Sequence, residues 1–180
     1  MRVNNKFLIH KSILCNTFKN VMEVFSIKKI VLNFGVKNAV QVPKRVLSAG
    51  LALNFITSNK VLPRISTKSV MVLKVREGMV VGCKSTLRKN LLVNFINLLF
   101  EKLLLKGFEG RCSQKDLMRS SKDFTFSVED LFIFKSLEFF FDIFSELPHL
   151  NITLIYNRDV LLFDQICFLR LNGLKLALSK

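Results

Sequence analysis

The chain has 180 residues, half of them hydrophobic, and its 28 Lys and Arg against 13 Asp and Glu give a net charge of +15. This length and composition exclude an intrinsically disordered chain and fit one domain with a core of its own. The longest stretch without a charge, Val46 to Asn59, has 14 residues and is shorter than the roughly 20 that a membrane-spanning helix needs.

The positive charge lies in the first half of the chain. Residues 1–90 contain 17 Lys and Arg against two Glu, whereas residues 91–180 contain 11 basic and 11 acidic residues. A basic half joined to a neutral half predicts a polyanionic partner. Nucleic acid is the first candidate for this partner. The alternative is an anionic membrane surface, which a basic peripheral protein would bind.

No pattern in the sequence supports catalysis or metal binding. The four Cys are far apart, with no C-x-x-C pair, and neither His has a nearby Cys, Ser or acidic pattern that suggests a site. We expect reduced thiols, no metal, no cofactor and no enzymatic activity. Residues 1–15 lack the apolar core of a signal peptide and the Arg and Ser content of a transit peptide, so we expect no targeting segment.

The first predicted elements are a helix and a strand. Apolar residues at helical spacing predict an amphipathic helix at residues 11–25. Residues Ile27–Val36 then alternate as in a strand that ends at Gly35, with Lys29 and Asn33 on its polar face. The other face carries core candidates, namely Ile30, Leu32 and Phe34.

The middle of the chain predicts a second helix and a hairpin. Pro43 suits the first turn of a helix, and the apolar spacing extends this helix to about Ser58. A strand is predicted from Arg64 to about Ser69, followed by a turn at Glu77 and Gly78. Val80–Arg88 returns antiparallel to it. The residues between Ser69 and Arg76 are alternatively a protruding loop.

Both strands of this hairpin place polar residues on one face. Along the second strand, the two-residue period places Lys84, Thr86 and Arg88 on one face, and these side chains suit an anion. The opposite face carries Cys83, Ser85 and Leu87. Alternation along the first strand groups Arg64, Ser66 and Lys68. Such faces on neighbouring strands predict a sheet surface turned toward phosphates, and the alternative is a solvated basic face.

The second half begins with a long apolar helix. Asn90 is its predicted cap and Gly107 its stop, with an inward face of Leu91, Leu92, Phe95, Leu98, Leu99 and Leu103. Residues 109–123 are polar and predict a loop, and Phe124–Val128 alternates as a strand. The Phe-rich residues 131–144 fit a strand or a helix.

The last predicted unit is a strand followed by a helix. Asn151–Asn157 alternates as a strand, Asp159 is a candidate cap, and Val160–Leu171 has helical spacing up to Asn172 and Gly173. Short turns between neighbouring strands favour an α+β fold, with helices on one face of a largely antiparallel sheet. We expect a single domain, residues 1–180, with a basic half and a neutral, Phe-rich half.

Two motifs resemble the bacterial-type large-subunit ribosomal protein L-five family, whose members bind 5S ribosomal RNA. Asn20–Val36, NVMEVFSIKKIVLNFGV, is similar to the family's first-strand signature. Lys68–Arg88 is similar to its central signature of K-S, a loop, K-x-R-x-G and then G-C-K-x-T-L-R. Phe108–Gly110 and Leu150–Leu154 extend the resemblance to most of the chain.

The resemblance implies a structural constituent of the large ribosomal subunit, placed at the central protuberance and without catalysis. It implies contacts to 5S rRNA, where the ribosome has one, or to large-subunit rRNA through Asn33, Asn59 and Thr86, with Lys84 and Arg88 close by. Alternation adds Lys29 and Arg64 to this predicted rRNA-binding set. The resemblance also implies a small-subunit head protein among the neighbours. It further implies a loop that reaches the peptidyl-site tRNA, formed by Lys68, Ser69, Val70, Met71, Lys74 and Arg76.

The chain departs from the family pattern at three places. Lys89 replaces a glycine after T-L-R, Ser120–Val128 replaces a glycine-rich strand entry, and Phe134 to Ser136 replaces an F-P-E turn. With 18 Phe, no Trp and no targeting segment, this drift predicts a version encoded and translated in a mitochondrion. The eight Phe between residues 124 and 144 are most simply core; the alternative is an exposed patch for a ribosomal partner.

Overall fold

The computed structural model describes residue 20 and residues 24–37, 39–106, 109–113, 120–161, 164–165, 167 and 175–179. Its elements in chain order are β1 (Ile27–Gly35), α1 (Lys44–Thr57), β2 (Leu62–Ile65), β3 (Val80–Leu87), α2 (Lys89–Lys106), β4 (Glu109–Ser113), β5 (Ser120–Val128), a 3₁₀ turn (Leu131–Ile133), α3 (Lys135–Glu138), α4 (Phe141–Phe144), β6 (Leu150–Leu161) and β7 (Lys175–Ser179).

The strands form two sheets. Five of them make an open antiparallel sheet in the order β2-β3-β1-β6-β5, and β4 pairs with β7 in parallel as a separate two-stranded sheet. The predicted α+β class with a largely antiparallel sheet is confirmed. None of the helices that the structure describes is long and apolar enough to cross a membrane.

The chain divides by its contacts into two compact units. Unit one comprises Met1–Ile30, Arg88–Phe126 and Thr153–Lys180, and unit two comprises Val31–Leu87 and Ser127–Ile152. Each unit has buried apolar residues of its own. The expectation that residues 1–180 form a single domain concerns both units together, and it stays a prediction.

Helix α1 organises unit two, and the predicted helix from Pro43 to Ser58 is confirmed. Pro43 occupies its N-cap position, and Ser58, with a φ of 50°, closes its end by donating its N–H to the carbonyl of Asn54 at 2.7 Å. The buried side of the helix packs on β3, where the Cys83 thiol donates to the carbonyl of Val46 at 3.3 Å. That side consists of Val46, Ala49, Ala52, Leu53 and Ile56.

The Phe-rich segment of unit two, ambiguous in sequence, forms three short helical turns. The 3₁₀ turn, α3 and α4 bury Leu131, Ile133, Leu137 and Phe144. They are joined to α1 by Arg45, whose Nη2 and Nε donate to Oε2 of Glu146 at 2.7 and 3.0 Å. Three of the eight Phe in this region, Phe139 to Phe141, are exposed.

In unit one, helix α2 begins at Lys89, so the predicted cap Asn90 lies in its first turn. Lys89 has a φ of 51°, in the left-handed region that favours glycine, at the position where the L-five pattern has one. Of the predicted inward residues, Leu92, Phe95 and Leu99 are buried, whereas Leu91 is exposed and Leu98 is half-buried. The side chain of Leu103 lies outside the described residues.

One predicted loop and two predicted helices are wrong or lie largely outside the described residues. Residues 109–113 of the predicted loop form strand β4, because β7, distant in the sequence, pairs with them, and residues 120–123 of that loop begin strand β5. Strand β6 continues to Leu161, so Asp159 lies inside a strand and does not cap a helix, and no helix begins at Val160. Most of the predicted helices at residues 11–25 and 160–171 lie outside the described part of the chain.

Candidate nucleic-acid interface

The outer faces of β3 and of the unit-two part of β1, residues 31–35, carry predicted polar side chains. On β3, Lys84 and Thr86 are half-buried, while Cys83, Ser85 and Leu87 are buried on the face that packs on α1. On β1, Asn33 is half-buried between the buried Leu32 and Phe34. The alternation predicted for these two strands is confirmed, and we call Asn33, Arg64, Lys84 and Thr86 the outer strand surface.

Strand β2 adds Arg64 to this surface. Leu62 pairs with Lys84 and Arg64 with Gly82, and paired residues of antiparallel strands share a face, so Arg64 lies diagonally beside Lys84. The predicted strand from Arg64 to Ser69 is shorter than expected: it begins at Leu62 and ends at Ile65, with a register shift after Arg64. Ser66 and Lys68 therefore lie in the loop that follows and not on the strand face.

Gly82 lets β3 approach β1 closely. A Cβ at residue 82 would meet the carbonyl oxygen of Phe34 at 2.2 Å, a separation that real Cβ atoms do not show. The neighbouring N–H of Val36 donates to the carbonyl of Val81 at 3.1 Å. The glycine of the G-C-K motif thus fixes the spacing of the strands that carry Asn33 and Lys84. In the sequence this glycine is visible only as part of the family motif, and its contact with Phe34 is not.

Asn59 is placed by the fold next to the outer strand surface. Its Nδ2 donates to the carbonyl of Thr86 at 3.1 Å, and its N–H donates to Oγ1 of Thr57 at 3.3 Å. The amide group therefore ties the end of α1 to the last residues of β3. Within the protein this is a positioning role, and an RNA contact by Asn59 stays a prediction.

Lys29 and Arg88, the other two predicted contacts, belong to unit one. Lys29 is half-buried on β1, on the same side of the strand as Asn33 by alternation. Arg88 is exposed directly after the end of β3. Both therefore have accessible side chains, and their contact with RNA stays a prediction.

The connection between β2 and β3 is a finger formed by residues 66–79. Its base is closed by Ser66, which donates its N–H to the carbonyl of Met79 at 2.8 Å and accepts from Gly78 at 3.0 Å. Nearer the tip, Val70 and Val75 exchange backbone hydrogen bonds of 2.8 and 3.2 Å. The protruding loop, which the sequence left as an alternative to a simple turn, is the conformation found.

The tip of the finger is apolar and its sides are basic. Met71 and Val72 are 93% and 92% exposed, which places them in solvent. Lys74 turns the chain back with a φ of 53°, and its N–H donates to the carbonyl of Met71 at 3.0 Å. All six residues predicted to contact tRNA are in the finger and exposed: Lys68, Ser69, Val70, Met71, Lys74 and Arg76.

The electrostatics of this part of unit two are one-sided. Residues 31–87 contain nine Lys and Arg and one acid, Glu77. Among the residues that the structure describes, no ion pair involves Arg64, Lys74, Arg76 or Lys84. Their charges are therefore available to an external anion, as phosphate contacts require.

The described residues were searched for a metal site and for a reactive thiol. Among them, no three His, Cys, Asp or Glu side chains come close enough to hold a metal ion. Cys83 is buried beneath α1, and burial raises the pKa of its thiol above the ordinary value, which disfavours the nucleophilic thiolate. Cys83 and Cys167 are free thiols.

The chain is similar to curated bacterial proteins over most of its length. It is 33% identical over 153 residues to a protein of Leptospira biflexa, with 79% of this chain and 77% of the relative covered. Proteins of Desulfosudis oleivorans and Trichlorobacter lovleyi are 32% and 30% identical over 138 residues, with 77% of this chain and 76% of each relative covered. All three are named large ribosomal subunit protein uL5. No family model matches the chain.

Proposed function

Since the chain belongs to the uL5 family of large ribosomal subunit proteins, the L-five family that its motifs resemble, we propose that its outer strand surface binds ribosomal RNA. Family membership makes the protein a structural constituent of the ribosome and not an enzyme. In this proposal the protein contacts RNA through one face of the sheet, with the side chains of Asn33, Arg64, Lys84 and Thr86.

The observation that carries the proposal is the separation of the two faces of β3. Cys83, Ser85 and Leu87 hold the strand on α1, so Lys84 and Thr86 must point the other way. Register then brings Arg64 to the same side as Lys84. Two cations at the spacing of neighbouring strands fit the phosphates of an RNA backbone, and the amide of Asn33 and hydroxyl of Thr86 suit a phosphate or a 2′-hydroxyl.

The partner RNA proposed for this surface is 5S rRNA, where the ribosome has one, or large-subunit rRNA at the central protuberance. A basic peripheral membrane protein, the alternative raised by the sequence, has no comparable support, because the charged face coincides with the family motif and not with an apolar helix face. The proposed ribosome is mitochondrial, on the strength of composition and drift, and the gene is proposed to be organelle-encoded.

The finger is proposed to contact the peptidyl-site tRNA, with a small-subunit head protein as a further neighbour. Its support is its shape: closed at the base by Ser66 and Met79, it projects Lys68, Lys74 and Arg76 around an apolar tip. Basic side chains suit the tRNA backbone, and Met71 and Val72 suit contact with sugars or with a protein.

The proposed RNA contact is tested by replacing Arg64 and Lys84 together with Ala. Each lost phosphate contact lowers the slope of log affinity against log salt by about 0.7 to 0.9, so the double variant is expected to bind 5S rRNA or large-subunit rRNA more weakly with a slope lower by about 1 to 2. Filter binding across a salt series measures this slope.

Lys135→Ala is the matched control, because Lys135 is an exposed lysine of the same unit on helix α3. It is expected to keep the wild-type slope. Equal slopes for the wild-type protein and the double variant would contradict the outer strand surface as the site.

A further inference from the structure

A second surface of unit two is apolar and exposed, and the proposed RNA contact does not use it. Helix α1 presents Leu47, Leu51 and Phe55 at successive helical turns, on the side opposite to its buried residues. Leu47 is 70% exposed and Leu51 52%. Scattered apolar residues on a surface are ordinary, whereas an aligned stripe on one helix indicates a binding surface.

The Phe-rich turns extend this stripe. The rings of Phe55 and Phe140 stack with centroids 5.6 Å apart, and Phe55 also meets Phe144 edge-on at 6.1 Å. Beyond Phe140, the side chain of Phe139 is 86% exposed and Phe141 is also exposed. We call these exposed residues of α1 and the adjoining Phe-rich turns the apolar patch: Leu47, Leu51, Phe55, Phe139, Phe140 and Phe141.

A groove runs along the other side of the α1 stripe. It has a volume of about 1010 Å³ and lies between α1 and the β2–β3 hairpin, with Leu47 and Leu51 on one wall and Pro63 and Val80 on the other. Cys83 and Gly50 also line the groove. The groove is large enough for one or two large apolar side chains of a partner.

Charge identifies the kind of partner. Residues 127–152 contain five acids, Glu129, Asp130, Glu138, Asp142 and Glu146, against one Lys, the reverse of residues 31–87. Glu138 and Asp142 are exposed on either side of the three exposed Phe. Carboxylates next to an apolar surface repel RNA phosphates and anionic lipid headgroups and attract Lys and Arg.

We propose that the apolar patch binds a protein segment of the ribosome whose large apolar side chains are flanked by Lys and Arg. The apolar side chains cover the α1 stripe and enter the groove, and the flanking cations face Glu138 and Asp142. This docking site goes beyond the proposed RNA contact, because it lies on different residues and its Phe-rich part, in residues 127–152, has an acidic majority.

Photo-cross-linking in assembled large subunits tests the proposal with the protein in its complex. Phe139 is replaced by benzoylphenylalanine, the subunits are irradiated, and the cross-linked species is identified by mass spectrometry. The expected product joins Phe139 to a protein segment with clustered apolar residues and flanking Lys or Arg. The same photoreactive residue at Val72, in the finger, is the control and is expected not to label that segment. A cross-link to rRNA or to a second copy of the chain, or no cross-link, would overturn the proposal.

A binding measurement with the cross-linked segment, made as a synthetic peptide, supplies the second arm. Leu51→Ser, Phe139→Ser and Glu138→Lys each change an exposed side chain, and each is expected to weaken peptide binding at least about tenfold. Lys84→Ala is expected to leave peptide affinity unchanged while it weakens RNA binding, so the two proposals fail independently. Wild-type affinity in all three patch variants, or flotation with anionic phosphatidylserine vesicles that depends on Phe139, would contradict a protein partner.

Discussion

Among single residues, Tyr156 shows most directly how burial controls ionisation in this protein. Its ring is buried in unit one and meets Phe25 edge-on, with centroids 5.8 Å apart. Its hydroxyl has no hydrogen-bond partner among the described residues. Burial without a partner raises the pKa of Tyr156 far above its ordinary value of 10.0, because the tyrosinate would lose its hydration.

Tyr156 therefore predicts a loss of stability in alkali. A group whose pKa is raised by folding stabilises the native state below its unfolded pKa, so this contribution declines as the pH rises above 10.0. Cys83, with a raised pKa and an ordinary value of 9.0, acts with the same sign. Tyr156→Phe should flatten the alkaline decline in the free energy of unfolding.

The sequence provides a direct optical measurement, since Tyr156 is its single Tyr and there is no Trp. Tyrosinate absorbance should appear near pH 10.0 in the denatured chain but only on unfolding in the folded protein. A folded protein that titrates near pH 10.0 without unfolding would show that the ring is not buried.

The sequence predicts on which face of a strand a residue lies when the other face of that strand packs on a core. On β3 the buried Cys83 and Leu87 impose a two-residue period, so Lys84 and Thr86 were assigned correctly. On β2 all four residues are exposed, and nothing in the sequence marks its end at Ile65. The role of Asn59 was also hidden, because its bond to Thr86 joins residues distant in sequence.

Among the elements, the β2–β3 hairpin depends on the close approach of β3 to β1 at Gly82. Gly82→Ala should lower the free energy of unfolding by about 1–3 kcal/mol, because its Cβ would lie 2.2 Å from the backbone oxygen of Phe34. Gly50→Ala is the matched control: its Cβ would lie 3.6 Å from Sγ of Cys83, and Ala is favoured over Gly in helix α1 by about 0.5–1 kcal/mol.

Denaturant unfolding of the two variants measures this difference, and RNA binding by the variants shows whether it reaches the outer strand surface. Gly82→Ala should be the less stable of the two and should bind RNA more weakly, whereas Gly50→Ala should match or exceed the wild-type stability. A Gly82→Ala protein as stable as the wild type would mean that the strands approach less closely than described.

Elements with a local signal were predictable, and those made by distant pairing were not. The apolar period and Pro43 gave helix α1 to within a residue at each end. Strand β4 was predicted as a loop, because its five residues are polar and are held by β7 near the other end of the chain. The Phe-rich segment was ambiguous because its three short helical turns are too brief to establish a period.

At the scale of the whole molecule, the sequence separates two kinds of surface by charge. Unit two has its basic residues in 31–87, which include the proposed RNA surface, and an acidic majority in 127–152, which include the Phe-rich part of the proposed protein surface. The basic half of the chain was visible from the sequence, whereas the second half was described only as neutral. The exposure of Phe139 to Phe141 was not visible, since composition alone favoured a place in the core.

A density map of the native large subunit would show whether the outer strand surface contacts ribosomal RNA. We expect Arg64 and Lys84 to lie within ion-pair distance of RNA phosphates, with Asn33 and Thr86 within hydrogen-bond distance of the same RNA. A map in which the protein is present in the subunit while this face of β1 and β3 meets solvent or protein would contradict the proposed contact.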